Sequence, residues 1–407
     1  MGYLSRYLNK NKMSLRKIYS CARLACFAAI ILYINGCATM IYRSIPLKDI
    51  AKIGGKYAVG TQYFYLVDST RSMWFSDDVA GLREISVKVW YPADDRRLEK
   101  KASYVHNQEL ISEALSVRLG VPQALMERAG GIECNSWLDA APVNGKFPIV
   151  IYSHGHQSLK IANTFQAEEL ASNGFIVIAP DHTYDAAITV LKNESVIYSK
   201  SKLPNNNQRP SEQEMIERVE KQLTIRTADI SFLIDRMLQQ FSSEKNFMAS
   251  ADTSKIGIFG HSFGGCTSVM SAYSDNRIDA VFGLDAYFLP LSKNIMNKDL
   301  NKPFAHLGQP SWGKSNNYAV METLAKKNSK LSTHFAVEGS KHYDFTDFSQ
   351  FTRLTKKFGS GKISPKNIRI IMNTLLLDFF NSSLKGDKKF EPQNYEQMFS
   401  ELTHYIY

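Results

Sequence analysis

The feature that most constrains this chain is a junction at residues 256–265. The apolar run Ile256-Gly257-Ile258-Phe259 leads directly into Gly260-His261-Ser262-Phe263-Gly264, and a helical pattern runs from Phe263 to about Tyr273. A strand that turns straight into a helix around one serine forces that serine into strained dihedrals. Small residues at 260 and 264 let the neighbouring backbone pass, and Gly265 extends the clearance. The pentapeptide alone is a modest signal that chance can supply. The strand before it and the helix after it give it its weight, against the plainer reading of a glycine-rich turn with a solvated serine.

A serine hydroxyl at such a turn becomes a nucleophile only when a base removes its proton. The usual base is a histidine oriented by a carboxylate. At a junction of this kind the chain order is serine, acid, histidine. The histidines after Ser262 are His306, His334, His342 and His404. His306 and His334 fall inside predicted strands, and His404 lies near the C-terminus. His342 follows the last predicted strand, in the loop Glu338–Phe345, and is the predicted base. For the acid, the loop after the strand at 304–307 holds no carboxylate before Glu322. Asp344 is too close in sequence to His342, and Asp279 lies at the wrong end of its strand. Asp285 ends the strand Ala280–Leu284 on the required edge and is the predicted acid; a loop-capping carboxylate is its alternative role.

An acyl-transfer intermediate also needs two backbone N–H donors for its oxyanion. The expected donors are Phe263, directly after the serine, and His156, in the early loop Ser153-His154-Gly155-His156. His154-x-His156 also invites a metal reading, with Asp181-His182 as further candidates. The remaining ligands at usable spacing are lacking. No metal and no cofactor is expected.

Around this junction, near-continuous apolar runs alternate with helical patterns. The runs are Phe147–Tyr152, Phe175–Ala179, Ala280–Leu284, Phe304–Leu307 and His334–Val337. Helices are expected at 163–172, 211–241 and 365–382, and two short ones within 107–128 break near Gly120 and Pro122. Those two are rich in Leu, Ile and Val, and read as core packing, with a rim over a pocket or a membrane-facing surface as the alternatives. Buried parallel strands read as unbroken apolar runs. The expected architecture is therefore α/β, an α/β-hydrolase fold with a mostly parallel central sheet and helices on both faces. Tyr63–Val67 and Ile85–Tyr91 read as strands ahead of it, separated by a long loop over 68–84. The polar stretch 192–212 reads as a loop.

The net charge of +10 resembles a nucleic-acid or membrane signal, but its location argues otherwise. Positions 1–36 carry six basic residues and no acid. Without them, 43 basic residues face 39 acidic ones, a net +4. No basic stripe interleaved with aromatics occurs, so no nucleic-acid partner is expected. The basic start precedes the apolar run Leu24–Ile34, too short for a membrane span and of signal-peptide length. Ile34-Asn35-Gly36-Cys37 follows and resembles a bacterial lipobox. Cys37 is then the lipidation site, and the protein is lipid-anchored in a bacterial cell envelope, facing periplasm or exterior. An uncleaved anchor and plain secretion are the competing readings. The expected segments are 1–36 signal peptide, 37–60 linker, 61–385 catalytic domain and 386–407 tail. Of the five cysteines, Cys134 and Cys266 lie in the body, where buried free thiols are expected.

These residues resemble the plasma and intracellular type II platelet-activating factor acetylhydrolases. The likeness is carried by Val89-Trp90-Tyr91-Pro92, PIVIYSHG at Pro148–Gly155 and LASNGFIVIAPDH at Leu170–His182. KIGIFGHSFGG at Lys255–Gly265, GLDAYFLP at Gly283–Pro290 and GSKHYDFTDF at Gly339–Phe348 complete it. It runs in collinear order from about 60 to 382. The resemblance implies Ser262 as nucleophile, Asp285 as acid, His342 as base, and oxyanion N–H groups at Phe263 and His156. The family usually has an apolar residue where His156 stands. It implies calcium-independent hydrolysis of short or oxidised sn-2 acyl chains of phospholipids. The residues alone imply ester hydrolysis. They leave open a broad carboxylesterase or polyester hydrolase on the same scaffold, or a non-catalytic lipid-binding lipoprotein.

Overall fold

The apolar run at 147–152 shows how the fold is built. Ile149 and Ile151 pack into one hydrophobic cluster, while Val150 and Tyr152 pack into another. Alternate residues of one strand point to opposite faces, so both faces of this strand are covered. The computed structural model describes residues 50–74, 80–96, 98–201, 212–239, 247–312 and 315–407.

The strands are β1 (Ala58–Ser72), β2 (Leu82–Ala93), β3 (Lys101–Ser103), β4 (Glu133–Leu138), β5 (Phe147–Ser153), β6 (Ile176–Asp181), β7 (Ile188–Val190), β8 (Val196–Tyr198), β9 (Ala251–His261), β10 (Ile278–Leu284), β11 (Phe304–Gly308), β12 (Ser332–Val337) and β13 (Leu402–Tyr405). Among the described residues, eleven form one sheet in the order β13-β12-β11-β10-β9-β5-β6-β2-β1-β4-β3, and β7 pairs with β8 apart from it. From β6 through β5, β9, β10 and β11 to β12 the pairing is parallel. Antiparallel β2 and β13 flank that block. The longer helices are α1 (Gln108–Leu119), α2 (Gln123–Gly130), α3 (Thr164–Ser172), α4 (Glu212–Gln239), α5 (Phe263–Ser274), α6 (Asn316–Lys327) and α7 (Pro365–Phe380).

Helices cover both faces, as expected. Leu223, Ile230 and Ile234 of α4 and Cys266 and Val269 of α5 pack with Ile149, Ile151 and Ile258. Leu170 of α3 and Ile371, Leu375 and Phe379 of α7 pack with Val150, Val177 and Phe282 on the other face. Gly120 ends α1 at φ 64°, the left-handed cap that stops a helix. Pro122 opens α2 two residues later. Ile111 and Ala114 of α1 are buried, whereas Val117 and Leu119 are exposed.

Besides the strand β8 (Val196–Tyr198), which lies inside the stretch 192–212 read as a loop, three findings differ from the sequence reading. First, the loop expected over 68–84 is strand at both ends: β1 reaches Ser72 and β2 begins at Leu82, paired from Ala58↔Ala93 to Asp68↔Arg83 with an irregularity beyond Asp68. Polar residues such as Thr70 and Arg71 hid this extension, because the ribbon outlasts its apolar alternation. Second, residues 402–405, within the expected C-terminal tail 386–407, form an edge strand paired with β12 from His334↔Tyr405 to Val337↔Leu402. Third, Ile50–Tyr57, expected as linker, is tied to α3: Gly54 N–H donates to Glu169 Oε2 (3.1 Å) and Tyr57 N–H to Ser172 O (3.0 Å). Cys134 and Cys266 are free and buried. Cys37 and the apolar run before it lie outside the described residues. Among the described residues no helix is long and apolar enough to cross a membrane.

Candidate active site

Ser262 joins β9 to α5 with φ 56° and ψ −121°. A non-glycine residue there stores about 1–3 kcal/mol of strain, which the surroundings must hold. They do so through the backbone. Ser262 N–H donates to Leu284 O (3.0 Å), and Ser262 O accepts from Tyr287 N–H (2.9 Å) and Gly265 N–H (3.0 Å). The glycine requirement is steric. A Cβ on Gly264 would stand 1.9 Å from Ser153 O, and one on Gly260 would stand 2.2 Å from Gly264 O. The elbow therefore packs backbone against backbone, directly on the end of β5.

Asp285 follows β10, the strand beside β9, and also has positive φ, at 40°. Its carboxylate is fully buried. Oδ2 accepts from His342 Nδ1–H at 2.6 Å and from Gln309 Nε2–H at 2.6 Å, and Oδ1 accepts from Gln309 N–H at 3.0 Å. Tyr318 O–H reaches Oδ1 at 3.4 Å. His342 opens a single 3-10 turn, His342–Phe345, after β12. With Nδ1–H on Asp285, Nε2 is the nitrogen whose lone pair can accept a proton. The ring of His261, next to the serine, lies 4.5 Å from the His342 ring, and His261 Nε2–H donates to His342 O at 3.0 Å. The structure thus gathers Ser262, Asp285 and His342 at the C-terminal ends of parallel strands, where sites of open α/β sheets form.

The expected oxyanion residues lie on either side of the serine. Phe263 is the first residue of α5, a position whose N–H has no intrahelical acceptor. His156 belongs to the turn after β5, closed by Ser158 N–H donating to Gly155 O (3.1 Å). That turn abuts the elbow: a Cβ on Gly155 would stand 3.3 Å from Ser262 Cβ. Burial pushes the His156 imidazole below its ordinary pKa.

The residues set aside have other partners. Asp344 Oδ2 accepts from Lys341 N–H (2.9 Å) and Gly361 N–H (2.6 Å), so it caps the turn that carries His342. Asp279 accepts from Ile256 N–H (2.8 Å) at the far end of the sheet. His306 Nε2 accepts from Ala286 N–H (3.0 Å), and its Nδ1–H meets His334 Nδ1 at 2.8 Å. His404 Nε2 meets Thr333 Oγ1 at 2.8 Å. His154 has both nitrogens engaged, one on Gly155 O (2.7 Å) and one on His182 N–H (3.1 Å). Among the described residues no group of three His, Cys, Asp or Glu could hold a metal ion. The sequence reading missed Gln309 and Tyr318. It searched the loop after β11 only for carboxylates, although Gln309 follows β11 directly on the site edge.

The model of the family "Platelet-activating factor acetylhydrolase, isoform II" matches residues 42–401. The chain belongs to this family. Among its relatives, the platelet-activating factor acetylhydrolase of Cavia porcellus is 26% identical over 327 residues, 76% of this chain and 74% of that one. The corresponding protein of Gallus gallus is 25% identical over 339 residues, 75% of this chain and 79% of its own. A probable 1-alkyl-2-acetylglycerophosphocholine esterase of Arthroderma benhamiae is 26% identical over 221 residues, half of each chain. The solved structure of a ferulic acid esterase from Streptomyces cinnamoneus superposes with TM-score 0.71 at 24% identity, over 88% of this chain and 99% of that one. This last likeness shows the shared α/β-hydrolase fold of the acetylhydrolase family member and no substrate.

Proposed function

We propose that this member of the acetylhydrolase family is a serine esterase that removes short or oxidised sn-2 acyl chains from phospholipids. The observation that carries the reading is the 2.6 Å contact of His342 Nδ1 with Asp285 Oδ2, at a sheet edge shared with a strained Ser262. In the proposed cycle the Ser262 hydroxyl attacks the ester carbonyl as His342 Nε2 takes its proton. Asp285 holds the imidazole in the Nδ1–H tautomer and stabilises the imidazolium. Phe263 and His156 N–H groups bind the oxyanion. His342 returns the proton to the departing lysophospholipid alcohol, and water hydrolyses the acyl-enzyme by the same route. Family membership and the names of the relatives support the phospholipid ester as substrate.

The experiment is covalent labelling alongside product analysis. A fluorophosphonate should modify one peptide, the one containing Ser262, and acetate should be released from 1-alkyl-2-acetylglycerophosphocholine. Ser262→Ala should lose both. Labelling of another serine, or acetate release undiminished in Ser262→Ala, overturns the assignment.

We also propose that Cys37 is acylated and anchors the enzyme in a bacterial envelope membrane, beside its substrate. The support is the sequence: a basic start, the apolar run Leu24–Ile34 and Gly36-Cys37. A palmitate analogue fed to cells should label the wild type and not Cys37→Ala; equal labelling of both contradicts the proposal.

A further inference from the structure

Behind the turn that carries His156 lies a set of buried charges that the proposed cycle does not use. Arg226, on α4, is wholly buried beneath the end of β5. Burying a guanidinium is expensive unless its hydrogen bonds are met, so its targets are informative. Its Nη2 donates to His154 O and to Ser153 Oγ (3.3 Å), and Nη1 pairs with Asp185 Oδ2 (3.4 Å). The guanidinium also stacks over the Phe263 ring, 4.8 Å from its centre. One side chain therefore touches both segments expected to supply oxyanion donors.

His154 extends the contact by one peptide. Its Nε2 accepts from His182 N–H, which fixes the neutral tautomer with the proton on Nδ1. That Nδ1–H donates to Gly155 O at 2.7 Å. Gly155 O is the carbonyl end of the peptide whose N–H end belongs to His156. The peptide unit is planar and trans, so holding the carbonyl aims the N–H. A donor on the carbonyl also polarises the group and strengthens the N–H as a donor.

The base of this arrangement is anchored in turn. Ser153 Oγ–H meets His182 Nε2 at 3.0 Å, and His182 Nδ1–H meets Asp229 Oδ2 at 3.0 Å. Arg83 grips Asp229 with Nε at 2.9 Å and Nη2 at 2.5 Å. Ser153, His182 and Asp229 thus form a second serine–histidine–aspartate chain. It is wholly buried and closed to substrate. With Arg226 donating to Ser153 Oγ, every hydrogen in this chain has one direction, and the end of β5 is held in one orientation.

We propose that Arg226 and His154 are positioning residues of the oxyanion hole. Arg226 sets the spacing between the Phe263 and His156 segments, and His154 aims the His156 N–H. This rests on the serine-esterase reading. It adds a specific claim: the two residues, without touching substrate themselves, stabilise the transition state through the backbone groups that do.

The test uses the full chain and an acetyl ester, with Ser262→Ala as blank. The variants are Arg226→Met, Arg226→Lys, His154→Leu and His154→Asn, each checked by thermal melting. A lysine keeps the charge but lacks the planar fork that reaches His154 O while stacking on Phe263. An asparagine amide can replace Nδ1–H on Gly155 O, whereas leucine cannot. The expected result is a fall in kcat of roughly 10- to 100-fold for Arg226→Lys and His154→Leu, with KM changed less than about twofold. Inhibition by a trifluoromethyl ketone, which forms a tetrahedral adduct on the serine, should weaken by the same factor as kcat falls. His154→Asn should recover most of both losses. Should Arg226→Met fail to fold, Arg226→Lys and the His154 pair still decide the matter. Folded Arg226→Lys and His154→Leu with wild-type kcat overturn the proposal, as does a kcat loss with unchanged ketone inhibition. A wild type that neither turns over the ester nor takes up the ketone instead refutes the esterase reading and is distinguishable.

Discussion

Asp285 carries more hydrogen bonds than orientation of one imidazole requires. Besides His342 it accepts two from Gln309, one from backbone and one from side chain. With Gln309 holding the carboxylate in place, Oδ2 faces His342 as an acceptor and fixes the imidazole proton on Nδ1. Asp285→Asn presents a donor where His342 needs an acceptor and reverses the tautomer. It should lower kcat by a factor on the order of 10⁴ while melting within a few degrees of wild type; near-normal turnover would move the acid elsewhere. At this scale the candidate triad was legible, because a motif, a chain order and strand edges each removed alternatives. Gln309 and Arg226 were not. An amide after a strand and an arginine on a long amphipathic helix have no local pattern that separates support from surface.

At the scale of elements, the elbow depends on contact between the start of α5 and the end of β5. The glycine at 264 allows Ser153 O to approach where a Cβ would stand. Gly264→Ala must push β5 from α5 and carry Ser153–His156 with it. The expectation is loss of at least 100-fold in kcat together with a lower melting temperature; an alanine variant with wild-type values would show that the turn has slack. A second element-scale prediction concerns β11 and β12, joined by the His306–His334 contact. Burial pushes His334 down to about 3 and His306 well below its ordinary range, so both are neutral when folded. Unfolded imidazoles titrate near 6.5. Below that pH the unfolded chain binds the extra protons, and stability falls as pH decreases toward the folded values, by up to about 1.4 kcal/mol per pH unit for each imidazole. His334→Asn should lower the melting temperature at pH 8 yet show a smaller drop between pH 6.5 and 4 than wild type. Parallel drops would mean the pair does not titrate on unfolding. The central strands were legible as unbroken apolar runs. The extension of β1 was not, because its outer residues are polar on a ribbon beyond the two packed faces.

At the scale of the molecule, the parallel block is closed at one edge by β13, which a sequence reading assigns to a tail. Leu-Thr-His-Tyr is too short and too polar to declare itself, and its place is set by the bare edge of β12. The packing is real: Leu402 and Tyr395 join the cluster that includes Phe335 and Phe379. Ending the chain after Phe399 removes a buried leucine, worth about 2 kcal/mol, and a row of ladder bonds. The truncated protein should melt several degrees lower, by roughly 2–4 °C per kcal/mol lost. An unchanged melting temperature would make the strand dispensable.

The central claim, a serine esterase selective for short sn-2 chains, meets its most direct test in a chain-length series. Purified protein would receive phosphatidylcholines with sn-2 acetyl through palmitoyl, beside simple acyl esters, with Ser262→Ala as blank. The account predicts the highest kcat/KM for acetyl, a decline as the sn-2 chain lengthens, and no turnover by the blank. Turnover of the simple esters alone, with every phospholipid untouched, would contradict it.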